Sequence, residues 1–161
     1  MAITLKRLGK YIEQSDERNT GDKYNSVKGM SVLKEFRSPS IKVNMKVQDL
    51  PDWANNIGNN LVQDDHFSLP PDQLIINEYL PGQGITDHID CEPCFEDTIV
   101  SISLGSYTTM NFTNKFTKER IPVLLPPKSA VILKGESRYE WMHGIPARKS
   151  DIINGFKKNR N

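Results

Sequence analysis

Chemistry-bearing side chains are concentrated between residues 84 and 93, in the run GITDHIDCEP. This run contains His88, Asp90, Cys91 and Glu92, in a chain that has only three histidines and two cysteines. Side chains at positions i and i+2 of a β-strand lie on the same face. If ITDHID is a strand, His88 and Asp90 point the same way, and an imidazole and a carboxylate so placed can bind one metal ion.

A third ligand for this metal ion has to come from elsewhere in the chain, and His143, in the run YEWMHGI, is the natural candidate. Two histidines and one carboxylate would leave coordination positions of an iron ion open for a cosubstrate and oxygen. Strand alternation would also put Tyr139 and Trp141 on the side of His143, which predicts an aromatic pocket wall. The remaining histidine, His66, has no partner nearby and is expected at the surface.

The cysteines offer an alternative metal site. Cys91 and Cys94 form a C-x₂-C pair, and together with His88 and His143 they could build a closed tetrahedral zinc site. Small zinc folds usually combine two compact ligand pairs, whereas His143 arrives alone and far along the chain. Two cysteines three positions apart also fit a reduced thiol pair that binds no metal, and they fit it better than a secreted disulfide framework.

The overall composition is that of one globular domain. The chain has 161 residues, of which 37% are apolar and 25% charged, within the range of folded single domains. No apolar run is long enough to cross a bilayer, and the N-terminal run MAITLKRLGKYIEQ lacks the apolar stretch of a signal peptide. We therefore expect an intracellular protein, cytoplasmic or nuclear, without a membrane partner; composition does not indicate an oligomeric state.

The elements that must position these side chains are mostly short strands. A helix is predicted from roughly Leu50 to Val62, with Pro51 near its start and Trp53 in the core, because apolar residues recur there at three- and four-residue steps. Before it, SVLKEF and IKVNMKV are predicted strands. From Gln73 onward, short β segments alternate with Pro/Gly turns, which is typical of an antiparallel sandwich, jelly roll or barrel. These segments are QLIINEY, ITDHID, IVSISL, TTMNF, IPVLL, AVILK and RYEWMHGI.

Two runs, NEYLPGQGITDHIDCEPCFEDTIVSISLGS and LKGESRYEWMHGIPARKSD, resemble the AlkB family of Fe(II)- and 2-oxoglutarate-dependent dioxygenases. The resemblance covers about residues 73–151 and includes the pattern N-x-Y-x-P-G-x-G-I-x-x-H-x-D. It implies a mainly β (α+β) fold, a double-stranded β-helix or jelly roll with a supporting N-terminal helix. The dioxygenase core would span residues 48–161, and residues 1–47 would be a variable segment that could form a substrate lid.

The resemblance also implies roles for individual residues. His88, Asp90 and His143 would be the iron ligands. Asn77 and Tyr79 match the family residues that hydrogen-bond the carboxylates of 2-oxoglutarate, and amide and phenol donors suit anionic oxygens. Glu92 corresponds to an acidic position that contacts the substrate base in some members of the family. From strand alternation alone, Ser101 and Ser103 share a face that could line the same cavity.

One part of the family pattern is missing. The pattern ends with a strand carrying two arginines, R-x-S-x-T-F-R or similar, that pair with 2-oxoglutarate, whereas this sequence stops at GFKKNRN. An anionic cosubstrate needs a cation, so Arg148, or otherwise Arg160, would have to be recruited. The absence of the strand suggests a truncated version of a longer protein.

The function implied by the resemblance is oxidative demethylation of alkylated bases in DNA or RNA, with Fe(II), 2-oxoglutarate and O₂. Nucleic acid would be the partner. The central match also resembles the family's tRNA wobble-uridine hydroxylases, which is the second hypothesis. A third hypothesis is a catalytically inactive, truncated β-domain that binds metal or ligand in the same pocket, since the two arginines are missing.

Overall fold

Two antiparallel β-sheets and one main helix make up the computed structural model, which describes residues 1–8, 31–37, 49–153 and 155–160. The strands are β1 (Ala2–Leu8), β2 (Ser31–Arg37), β3 (Gln73–Glu78), β4 (Ile85–His88), β5 (Phe95–Ser103), β6 (Thr108–Asn114), β7 (Arg120–Leu125), β8 (Ser129–Leu133), β9 (Trp141–Ile145), β10 (Ser150–Ile153) and β11 (Phe156–Asn159). The helices are α1 (Asp52–Gln63) and α2 (Glu136–Tyr139).

The strand order is that of a layered jelly roll. One sheet has the order β2-β3-β1-β5-β8 and the second has the order β4-β9-β6-β7, while β10 and β11 form a separate hairpin. Neighbouring strands in both sheets run antiparallel. The mainly β jelly roll expected from the short segments after Gln73, with a supporting helix before them, is confirmed.

Strand β1 lies in the middle of the five-stranded sheet, between β3 and β5. Ala2 pairs with Asn77 on one side and with Ser103 on the other. The sequence did not predict this strand, because residues 1–47 were assigned to a variable segment. The predicted strand SVLKEF is confirmed as part of β2, whereas the predicted strand IKVNMKV lies outside the described residues.

The two faces of the five-stranded sheet have different partners. Ile3 and Leu5 of β1 are buried in a cluster with residues of α1, so this face packs against the helix. The alternate side chains, Ala2, Thr4 and Lys6, lie on the opposite face and line a cavity shared with the four-stranded sheet. Because side chains alternate along the strand, the large apolar residues Ile3 and Leu5 lie in the core, and Thr4 and Lys6 face the cavity.

Helix α1 forms where the apolar periodicity predicts it, but its tryptophan was placed wrongly. Ala54 is fully buried, and Ile57 and Leu61 pack beside it. Trp53 is 42% exposed, because a residue directly before Ala54 is turned about 100° away from that apolar face. Within the described residues, no helix has the length and apolar character needed to cross a membrane.

The run RYEWMHGI is not one strand. Tyr139 ends the short helix α2, and the strand β9 begins only at Trp141. The prediction that Tyr139 lies beside His143 by strand alternation was therefore wrong. Similarly, β4 ends at His88, so Asp90 lies two residues beyond the strand rather than within it.

Candidate metal centre

The two candidate histidines face each other on neighbouring strands. His88 of β4 is paired with His143 of β9, and their ring centroids are 4.5 Å apart. The close approach of these strands requires a glycine after His143, because a Cβ at Gly144 would overlap the backbone of Asp87. Strand pairing therefore brings together two histidines that are far apart in the sequence.

The candidate carboxylate is held from two directions. The Oδ1 atom of Asp90 accepts a hydrogen bond from Lys6 Nζ at 2.6 Å. The buried guanidinium of Arg138 donates to the backbone oxygens of Asp90 at 2.9 Å and of Cys91 at 3.1 Å. Asp90 Oδ2 remains on the side of the histidines, 3.8 Å from His143 Nε2.

These side chains form one cluster that can accept a metal ion. Ligand atoms of His88, Asp90 and His143 all lie within 4.8 Å of one another. Across the residues that the structure describes, this is the one group of three such side chains that meets this spacing. Two imidazoles and a carboxylate are a donor set that suits Fe(II) and leaves coordination positions open, so the residues fit the ion that the sequence predicted.

The protonation states favour metal binding. The Nδ1 atom of His88 lies 2.8 Å from the backbone oxygen of Thr86; a proton on Nδ1 makes this hydrogen bond and leaves the Nε2 lone pair for a metal. Burial lowers the pKa of His143 to about 4, more than the charge of Asp90 raises it, so its imidazole is neutral near pH 7. Burial would raise the pKa of Asp90, but Lys6 and the histidines lower it overall.

A cavity lies between the two sheets beside this cluster. Asn77, Tyr79 and Ser101 contribute to its wall, together with Lys6. A second cavity adjoins it and shares Tyr79 and Ser101, and it is also lined by Ser103. Asn77 and Tyr79, two of the residues expected to contact the cosubstrate, are thus on the cavity wall. Burial, and secondarily the charge of Asp90, raises the pKa of Tyr79 to about 12, so its hydroxyl keeps its proton.

The two candidate arginines meet on one carboxylate. Arg148 and Arg160 both hydrogen-bond the side chain of Asp151. Arg148 is 44% exposed and is absent from the walls of both cavities, so the structure does not bring it to the predicted cosubstrate position. Arg160 is 8% exposed and lines the second cavity next to Tyr79.

Glu92 and the cysteines lie outside the metal cluster. Glu92 is half exposed, and its carboxylate lies 3.7 Å from Lys115 Nζ. Cys91 and Cys94 are joined in a disulfide, since a tight turn brings their Cα atoms to 5.2 Å, within the usual disulfide range. The expectation of free thiols or zinc ligands is corrected accordingly, and the zinc alternative loses both of its sulfur ligands.

Three buried charged side chains near the cluster and its cavities were not singled out from the sequence. Lys6, Arg138 and Asp151 are each at most 2% exposed, an unusual degree of burial for charged residues. A signal for Lys6 was present, because AITLKR alternates apolar and polar positions as a half-buried strand does. The other two depend on contacts with distant backbone and side chains, which leave no local pattern.

The comparison with known proteins gives the class to which this fold and site belong. A family model described as the 2OG-Fe(II) oxygenase superfamily matches residues 20–160, and the chain belongs to that superfamily. Within it, the resemblance to the AlkB family is confirmed by relatives that carry AlkB-homologue names.

Three relatives illustrate the similarity. The uncharacterized protein L905 of Acanthamoeba polyphaga mimivirus is 41% identical over 67% of this chain and 52% of its own length. The tRNA (carboxymethyluridine(34)-5-O)-methyltransferase alkbh8 of Xenopus tropicalis is 46% identical over 65% of this chain and 16% of its own. The alkylated DNA repair protein ALKBH8 homolog of Arabidopsis thaliana is 32% identical over 73% and 40%. The chain thus spans about half of the viral relative and a small part of the frog protein.

Proposed function

We propose that this chain is an Fe(II)- and 2-oxoglutarate-dependent dioxygenase acting on nucleic acid, with His88, Asp90 and His143 as the iron ligands. The convergence of these three side chains within 4.8 Å is the observation that carries the proposal. Fe(II) in such a site has room for 2-oxoglutarate and O₂, and it would supply the oxidation of a substrate C–H bond, coupled to the decarboxylation of 2-oxoglutarate to succinate.

The protein contributes orientation and charge. Thr86 fixes the ring of His88 through its backbone oxygen, and Lys6 and Arg138 fix Asp90 and its backbone. Partners of this kind orient metal ligands and set their affinity. Because the pKa of His143 is lowered to about 4, no proton has to leave its ring before a metal binds near neutral pH.

Asn77 and Tyr79 are proposed to hydrogen-bond the cosubstrate. They lie on the cavity wall at alternate positions, Asn77 within β3 and Tyr79 one residue after its end. A protonated phenol and a side-chain amide are donors that suit carboxylate oxygens. The raised pKa of Tyr79 keeps its hydroxyl a donor throughout the physiological range.

A surface suited to nucleic acid lies at the tip of the β6–β7 hairpin, and we call it the hairpin tip (Lys115, Phe116, Lys118 and Arg120). The ring of Phe116 is 67% exposed, and Lys115 Nζ lies 5.1 Å from the ring centroid. Basic residues that track phosphates and an exposed aromatic ring that stacks on a base are the usual components of a single-strand binding surface.

The hairpin tip is fixed beside the metal ligands. Arg120 Nη2 donates to Asp87 Oδ2 at 2.8 Å, and Thr113 Oγ1 donates to the same oxygen at 2.7 Å. Asp87 directly precedes His88. Lys115 of the tip pairs with Glu92, two residues after Asp90. This contact supports the proposal that a nucleic-acid strand bound by the tip reaches the metal and that Glu92 contacts the substrate base.

Oxidative demethylation of an N-alkylated base in DNA or RNA is the preferred reaction, since an oxidised N-methyl group leaves as formaldehyde. A base in a duplex would have to be flipped out, at a cost of a few kcal/mol, whereas single strands avoid this cost. Hydroxylation of a modified wobble uridine in tRNA is the second candidate. The name of the frog relative refers to carboxymethyluridine 34 of tRNA, although the activity it names is methyl transfer. That name describes a protein of which this chain matches only 16%.

The test is turnover with defined substrates. The purified chain with Fe(II) and 2-oxoglutarate should form succinate, and methylated single-stranded DNA, methylated RNA or tRNA should increase the rate. Asp90→Ala should abolish succinate formation, whereas His66→Ala, which changes a histidine outside the cluster, should not. If iron binds and no succinate forms with any of these substrates, the dioxygenase assignment is wrong and the inactive β-domain is the better description.

A further inference from the structure

Lys6 is a buried ammonium group on the wall of the proposed cosubstrate cavity. It is 2% exposed, and its strand β1 lies between β3, which carries Asn77, and β5, which carries Ser101. Its Nζ lies 2.6 Å from Asp90 Oδ1 and 4.5 Å from the ring centroid of Phe95. Burying a lysine is costly unless its charge is matched, so the position calls for a functional explanation.

The Asp90 contact does not exhaust the hydrogen-bonding capacity of Lys6. An ammonium has three N–H donors, and among the described residues the side chain makes its one hydrogen bond to Asp90. Nearby on the same wall, the buried Oδ1 of Asn77 has no partner within the protein. Rotating the Asn77 amide by 180° exchanges this oxygen for the Nδ2 donor. Donors of Lys6 and Asn77 on one cavity wall then suit a ligand that offers acceptor oxygens, such as a carboxylate.

The charges at the metal end point to an anion. A divalent cation, the Asp90 carboxylate and a dianionic 2-oxo acid would together carry a charge of −1 in a buried site. The ammonium of Lys6 brings this sum to zero, and a low-dielectric cavity strongly favours such compensation. Lys6 can serve Asp90 and a cosubstrate carboxylate at once, since the Asp90 contact uses one of its N–H groups.

A second cation lines the adjoining cavity. Arg160 lines that cavity together with Tyr79, which lines both cavities. Its guanidinium donates to Asp151 through Nε and Nη2 and to the Pro146 oxygen through Nη1, which leaves two of its five N–H groups. Arg148 also binds Asp151, so two guanidiniums share one carboxylate and the cluster keeps a positive charge.

We propose that Lys6 and Arg160 are the two cations that bind the cosubstrate, Lys6 at the carboxylate next to the metal and Arg160 at the distant carboxylate. The proposal rests on the proposed function. Lys6 of β1 and Arg160, the residue after β11, would take the place of the two arginines that pair with 2-oxoglutarate in the family pattern. The cavity-facing positions of β1 are Ala2, Thr4 and Lys6. They share the two-residue spacing of S-x-T-x-R in the family's strand, with alanine in place of the serine and lysine in place of the last arginine.

The test measures binding without turnover. The full chain is loaded with Fe(II) under anaerobic conditions, and the dissociation constants of 2-oxoglutarate and of 2-oxopentanoate are measured by calorimetry. 2-Oxopentanoate has the same five-carbon chain and 2-oxo acid end but lacks the distant carboxylate. The variants are Lys6→Met, Lys6→Arg and Arg160→Met, with Arg7→Met as control, because Arg7 follows Lys6 on β1 and faces the other way toward Glu96.

The two cations should give different results with the two ligands. Arg160→Met should weaken 2-oxoglutarate binding by about 10- to 100-fold, as expected for a lost charge-assisted hydrogen bond, and should leave 2-oxopentanoate binding unchanged. Lys6→Met should weaken the binding of both ligands by a similar factor, and Lys6→Arg should retain most of the affinity of the unchanged chain. Arg7→Met should bind both ligands as the unchanged chain does.

Several outcomes would overturn the assignment. If Lys6→Met loses iron affinity but binds 2-oxoglutarate normally once iron is saturating, Lys6 only holds Asp90. If Arg160→Met weakens both ligands equally, Arg160 does not contact the distant carboxylate, and circular dichroism then shows whether the β10–β11 hairpin has unfolded. If the unchanged chain binds iron but not 2-oxoglutarate, the proposed function fails together with this inference.

Discussion

His88 and His143 lie directly opposite each other on β4 and β9, with their ring centroids 4.5 Å apart. Backbone pairing of two strands therefore sets the separation of the two imidazoles before any metal is bound. Asp90 then has to reach the same point from the loop after β4, and Lys6 and Arg138 hold it there. The site is preorganised by elements from the beginning, middle and end of the described chain.

High-affinity metal binding should require each of the three clustered side chains. His143→Ala and Asp90→Ala should each remove high-affinity binding of one equivalent of Fe(II), measured anaerobically by calorimetry. The loss should exceed the roughly 10- to 100-fold effect of changing a residue that only orients a ligand. His66→Ala and the double variant Cys91→Ser/Cys94→Ser should retain the metal. Loss of metal on changing the cysteines would instead favour the zinc site.

Removing Arg138 should destabilise the fold and weaken the metal site together. Arg138→Met leaves the backbone oxygen of Asp90 without its side-chain donor, at about 1 to 3 kcal/mol for a buried group, and removes one of the two donors to the backbone oxygen of Cys91. We expect a lower free energy of unfolding by urea and a reduced iron affinity. Lys134→Met, a change of the same type at an exposed position, should alter neither quantity. An unchanged iron affinity in Arg138→Met would show that the loop at Asp90 is held by other contacts.

Asp151 should make stability depend on pH in the acidic range. Burial would raise the pKa of its carboxyl, but hydrogen bonds from Arg160, Arg148 and Thr109 hold the pKa at about 2. A lowered pKa stabilises the folded state while the group is ionised, so this stabilisation is present above pH about 4 and is lost as the pH falls toward 2.

The corresponding variant is Asp151→Asn. Its free energy of unfolding should be lower than that of the unchanged chain by about 2 kcal/mol near pH 7, and the difference should shrink between pH 4 and pH 2. Urea titrations at several pH values measure it, with Asp65→Asn at an exposed position as control. A difference that stays constant over this range would mean that the carboxyl charge of Asp151 does not stabilise the fold.

The hairpin tip should contribute to nucleic-acid affinity but not to metal affinity. Phe116→Ala should weaken binding of a methylated single-stranded oligonucleotide by about 1 to 3 kcal/mol, the usual value for one base stacked on an aromatic ring. Lys115→Ala should reduce the dependence of log affinity on log salt by about one unit. Phe156→Ala is the matched control, since this ring is 77% exposed on a different hairpin. Equal effects of the two phenylalanine changes would rule out a specific role of the tip.

The three proposed iron ligands could be predicted because the sequence signals that identify them are local. The HxD run, the isolated His143 and the family motifs identify His88, Asp90 and His143, which the structure brings within 4.8 Å. The helix and most strands after Gln73 follow equally local periodicities. The same periodicity did not place Trp53, which is exposed although the apolar face of the helix was identified correctly.

The cationic part of the site could not be predicted in the same way. The role of Lys6 depends on β1 lying between β3 and β5, and period-two alternation does not reveal which strands become neighbours in a sheet. Arg160 was named from the sequence only as the alternative to Arg148, because its position depends on a hairpin and on its contact with Asp151. Similarly, the position of Tyr139 depends on a four-residue helix that is too short to have a detectable period.

The central position of β1 also has a consequence for the order of assembly. During synthesis this strand leaves the ribosome before either flanking strand exists, because Ala2 pairs with Asn77 and with Ser103. Such distant pairings give a high contact order and slow folding. Until about residue 103 has been synthesised, the nascent chain carries β1 with its apolar face exposed and both of its edges unpaired. The yield of active protein should therefore depend more on whether a chaperone shields this strand until release from the ribosome than on the stability of the finished fold.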